Sequence, residues 1–79
     1  MASRKSTMQV GNKLAAIAKM MEAGHMTLAR QYAHPSLLYF GGYASNLPHT
    51  EIAAAVESGD VAALRRMSAE LIDKAVGQP

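Results

Sequence analysis

The chain has no cysteine and no tryptophan. Disulfides are therefore excluded, and so are zinc sites built on thiolates. A chain of 79 residues buries only about two-thirds of the surface its unfolded form exposes. Without a disulfide, it must gain stability from well-formed helix packing, from self-association or from a partner. Absence of cysteine fits a reducing compartment. No apolar run approaches the ~18 residues needed to span a bilayer. The basic start MASRKST is not followed by the apolar core of a signal peptide. These absences lead to the expectation of a soluble, cytoplasmic protein with no membrane association.

Acid is scarce in the first half. Residues 1–40 hold Arg4, Lys5, Lys13, Lys19 and Arg30 against Glu22 alone. The second half holds Arg65, Arg66 and Lys74 against Glu51, Glu57, Asp60, Glu70 and Asp73. This asymmetry permits charge complementarity between copies or with a partner. Five dispersed cations make a thin footprint for nucleic acid, because binding scales with the phosphates neutralised.

Aromatic residues are also few, and they are confined. Tyr32, Tyr39, Phe40 and Tyr43 all fall in the stretch YAHPSLLYFGGY, and no charged residue occurs from Gln31 to Thr50. The large rigid apolar surface of the protein thus comes from one segment. Part of it is expected to supply core bulk. The rest is expected to face outward, since Tyr joins apolar area to a polar handle and aromatics are enriched at interface hot spots. The expected protein interface is Tyr32, Leu37, Leu38, Tyr39, Phe40 and Tyr43, joined by Met21 and Leu28 from the preceding helical stripe. Met8, Met20, Met21 and Met26 fit either an adaptable surface or a core filled by flexible side chains.

Periodicity predicts an all-α fold: four to five short helices in one small domain. Residues 1–5 read as a flexible tail and 6–79 as the domain, with helices near 7–23, 27–33, 35–44, 48–58 and 60–76. Ser6-Thr7-Met8-Gln9 fits a capping box at the start of the first helix. Val10, Leu14, Ile17 and Met21 then recur at helical spacing. Gly24 suits a left-handed C-cap, with Thr27 capping a second helix. The competing reading is one continuous helix, because Leu28 and Tyr32 extend the stripe. His34-Pro35 ends that region and Pro35 suits a new first turn, with Leu37, Leu38 and Phe40 on its apolar side. Ile52, Ala55 and Val56 form the inner side of the fourth helix. Gly59 closes it and Asp60 caps the fifth. There Val61, Leu64, Ser68, Leu71, Ile72 and Ala75 form a stripe. The last two helices are predicted to make an antiparallel hairpin.

Two local resemblances follow from these residues. AAAVESGDVAALRRM, residues 53–67, resembles the helix-turn-helix unit of ankyrin-type repeats, but it has no second copy and no T-P-L-H turn. LARQYAHPSLLYF, residues 28–40, resembles the first helix and turn of helix-turn-helix repressors. It has Ala33 where that family has a turn glycine, and its next helix lacks the polar and basic residues that read base edges.

Chemistry-bearing patterns are absent. His25, His34 and His49 stand nine and fifteen residues apart, without the i, i+4 spacing of a helical metal pair. No Ser-His-Asp set, phosphate-cradling glycine loop or carboxylate pair is present. The expectation is a non-enzymatic regulator without metal or cofactor. It would bind and occlude or sequester a partner protein, in the manner of antirepressors that target a transcriptional repressor. A homodimer is expected. The alternative is a small DNA-binding regulator that uses the basic N-terminal half, although nucleic acid is disfavoured by the sparse cations.

Overall fold

The computed structural model describes residues 4–38 and 48–77, which form helices and the short connections between them. The fold is all-α, in the order α1 (Arg4–Glu22), α2 (Met26–Tyr32), α3 (Pro35–Leu38), α4 (His49–Ser58) and α5 (Val61–Val76). Among the described residues there is no strand.

The first helix begins earlier than the capping-box reading placed it. Arg4 and Lys5 are helical, so Ser6 lies inside the first turn and not at its cap. Both are good helix formers, and they extend the helix into what was expected to be tail. The stripe itself is correct. Val10, Leu14, Ile17 and Met21 are all buried.

Two helices stop by one device. At the end of α1, the His25 N–H donates to Met20 O at 2.8 Å and the Gly24 N–H to Met21 O at 3.0 Å. At the end of α4, the Asp60 N–H donates to Ala55 O at 2.8 Å and the Gly59 N–H to Val56 O at 3.2 Å. Both sets are Schellman motifs, which return the last free carbonyls to the chain. The motif needs a left-handed residue, and Gly24 and Gly59 have φ of 84° and 72°. A Cβ at either position would meet nothing within 4 Å. The cost of a side chain there is therefore conformational, not steric. Gly24→Ala and Gly59→Ala should each lower stability by ~1–2 kcal/mol, read as a lower melting temperature with unchanged helical circular dichroism. A neutral or stabilising result at either site would contradict the left-handed cap.

Beyond Gly59 the Asp60 side chain accepts from the Ala63 N–H at 3.0 Å and caps α5, as expected. The start of α2 differs from expectation. It opens at Met26 with His25 in the cap position and no side-chain cap bond, so Thr27 lies within the helix. Pro48 holds the corresponding position before α4.

α4 and α5 form the helical hairpin through Gly59-Asp60, yet the dominant packing is between the two ends of the sequence. α1 lies along α5. Gly11 sits against Ser68 and Ile72, and Glu22 reaches Arg65, so the two helices run antiparallel. The Ser68 hydroxyl donates to the Gly11 carbonyl at 2.6 Å inside this contact. That bond satisfies a buried hydroxyl that would otherwise cost stability. The Glu22–Arg65 ion pair is about half exposed on both sides and adds little.

The largest enclosed apolar side chains are Leu14, Ile17, Leu38, Ile52 and Leu64. Each of α1, α3, α4 and α5 supplies at least one. Met20, Met26, Ala33 and Val61 pack against this cluster from its edge. No aromatic side chain of the described residues belongs to it. Tyr32 is the one aromatic among the described residues, and the branched aliphatics with Met21 and Met67 form the cluster without it; Tyr39, Phe40 and Tyr43 lie outside the described residues.

Candidate protein-binding face

α2 is held by its small inner side. Ala29 is fully buried, with Met26 and Ala33 partly buried beside it. An alanine there lets the short helix lie close to its neighbours, which leaves the larger α2 side chains facing outward. Leu28 is 40% exposed and Tyr32 44%. They lie four residues apart and share one flank of α2.

The break at Gly24 explains this placement. Leu28 and Tyr32 would continue the α1 stripe only if the helix ran straight. The left-handed glycine redirects the chain and takes both residues out of the core. Met21, the last residue of the stripe before the break, stays inside at 7% exposure.

α3 is a single turn that opens on the His34 carbonyl, which accepts from the N–H groups of Leu37 and Leu38. Leu37 and Leu38 point about 100° apart on this turn, and one of the two faces the core. Leu38 does, at 1% exposure, and Leu37 stands out at 46%. Two of the expected interface residues, Leu38 and Met21, are thus core residues and offer no surface. Leu37, grouped with the inward side of its helix by the spacing argument, is outward. Leu28, Tyr32 and Leu37 are available for contact. Tyr39, Phe40 and Tyr43 lie outside the described residues.

Two shallow depressions border α2 and meet at Gln31. One, of about 350 Å³, is lined by Gly24, His25, Met26, Thr27, Leu28 and Gln31. The other, of about 500 Å³, is lined by Arg30, Gln31, His34 and Leu37. Its apolar wall is Leu37 and its charge is Arg30. Lys13 approaches from α1, where its ammonium donates to the Leu37 carbonyl. Burial pushes the Lys13 ammonium below the ordinary lysine range.

One exposed apolar side chain was not anticipated. Val76, in the last turn of α5, is 59% exposed. It follows the buried Ala75 and lies about 100° further round the helix.

His25 and His34 are exposed and His49 is half-buried. Among the described residues, no group of three His, Cys, Asp or Glu side chains is placed to hold a metal ion. Among the described residues no helix is long and apolar enough to cross a membrane. No family model, curated protein or solved structure matches the chain.

Proposed function

We propose that the protein is a small, non-enzymatic helical regulator. It binds a partner protein through the outer side of α2 and α3 and acts by occluding or sequestering it. One observation carries this reading: Leu28, Tyr32 and Leu37 are each at least 40% exposed within ten residues of chain, beside a closed aliphatic core. Single exposed leucines are ordinary, but several large apolar side chains gathered on a short two-helix segment favour a contact surface. Tyr32 adds the aromatic type that dominates interface hot spots. A transcriptional repressor bound in antirepressor fashion is one suitable target, and a second copy of the chain is another occupant of the same face.

The test separates folding from binding. Leu28→Ser and Tyr32→Ala should each change stability by only about ±0.5 kcal/mol, as exposed substitutions do. Loss of a central interface aromatic should weaken capture of the partner by roughly thirtyfold. Circular dichroism and melting give the first readout. Affinity capture from the source cell, followed by titration of the identified protein, gives the second. Light scattering of the same variants reports self-association. Variants that fold and retain full capture would place the contact surface elsewhere. Retention on duplex DNA that weakens steeply with salt would favour the nucleic-acid alternative.

A further inference from the structure

The α2–α3 face has a chemical bias that narrows its partner. Leu37 stands at the wall of the 500 Å³ depression with Arg30, Gln31 and His34. Lys13 donates to the carbonyl of the same Leu37. Two cations therefore lie near one residue with an exposed leucine side chain. Among the described residues, none that lines either depression beside α2 is acidic. The sequence holds no Asp or Glu between Glu22 and Glu51, and Glu22 is turned to Arg65 on α5.

We propose that this face receives an acidic amphipathic segment of the partner protein, whose apolar side chains cover Leu28, Tyr32 and Leu37 while a carboxylate meets Arg30 beside Leu37. This rests on the function proposed above and specifies its partner. Charge complementarity is the argument. A basic or neutral segment would leave the Arg30 guanidinium in the contact without an anion, and complementary charge is what excludes wrong partners. A nucleic-acid backbone fits less well. It gains from many cations in series, whereas this face offers two and is otherwise mostly apolar or neutral.

The experiment is a selection of randomised 16-residue peptides displayed on phage against the immobilised full chain. Enriched peptides should carry net negative charge together with Leu, Ile, Phe or Trp at helical spacing. Their affinity, measured with synthetic peptides, should fall on the order of tenfold in Arg30→Glu, since a like charge is then set against the carboxylate. Arg30→Gln should cause a smaller loss, and Arg66→Glu on α5 should leave affinity unchanged. Melting curves verify that the variants fold.

Enriched peptides that are neutral or basic, yet lost with Leu28→Ser or Leu37→Ser, would overturn the acidic partner while leaving the binding face standing. Peptides insensitive to Leu28→Ser and Leu37→Ser, or no enrichment at all, would overturn both. Arg30-dependent binding of a 20-base-pair DNA duplex at moderate salt would also overturn the proposal in favour of phosphate recognition.

Discussion

Leu64→Ala should remove a large fraction of the protein's stability and lower its melting temperature by at least ~8 °C. Leu64 is fully buried on α5, in the same aliphatic cluster as Leu14, Ile17 and Ile52. Truncating a buried leucine costs the transfer energy of the lost atoms and leaves a cavity, together about 2–5 kcal/mol. A domain of 79 residues has roughly 4–12 kcal/mol in total. The loss is thus a large fraction of the whole. In a domain of this size each kcal/mol moves the melting temperature by about 4–8 °C, so the drop should be at least ~8 °C. Leu71→Ala, at 6% exposure one turn pair further along the same helix, should behave alike. Thermal denaturation followed by helical circular dichroism checks both. A Leu64→Ala melt within a few degrees of the parent would mean that α5 does not bury this face.

The second large effect is expected at Gly11, and its sign runs against helix propensity. Gly→Ala inside a helix normally stabilises by ~1 kcal/mol, because glycine loses the most backbone entropy on folding. Gly11 faces α5 so closely that a Cβ would lie 2.8 Å from Ile72 Cγ1, 3.3 Å from Ser68 O and 3.4 Å from Ile72 N. Two of those three atoms are backbone and cannot swing aside. The helices would have to separate, which would also stretch the 2.6 Å Ser68–Gly11 hydrogen bond. Overpacking of this kind costs about 1–3 kcal/mol. Gly11→Ala should therefore destabilise by ~1 kcal/mol net. Gly11→Leu should prevent the α1–α5 pair from forming. A double-mutant cycle with Ile72→Ala isolates the closest contact: the cost of Gly11→Ala should shrink when Cγ1 is gone. If Gly11→Ala raises the melting temperature as propensity alone predicts, the close approach of α1 and α5 is refuted.

The outcomes at individual residues follow one division. Val10, Leu14, Ile17, Ile52, Leu64 and Leu71 are inside, as their spacing required. A helix needs one apolar side whatever it packs against, so that part of the core can be read locally. Leu28 and Tyr32 have equally good spacing and are outside. Their fate turned on whether Gly24 adopted the left-handed conformation, and a mid-helix glycine costs little enough for either outcome. Leu37 and Leu38 are adjacent leucines on one turn. No periodicity of so short an element can decide which one faces in.

By itself the sequence determined the helical class, the apolar stripes of α1, α4 and α5, the stop at Gly59 and the cap at Asp60. Each of these depends on contacts within about six residues of chain, and side-chain type controls such contacts. Tertiary structure alone decided that α5 lies antiparallel to α1, that Gly11 sits tightly against Ser68 and Ile72 and that Ser68 is buried against the Gly11 carbonyl. Ser68 and Gly11 are 57 residues apart. Nothing in either residue type names the other. Their pairing follows from two stripes whose relative register is fixed only when the whole core closes.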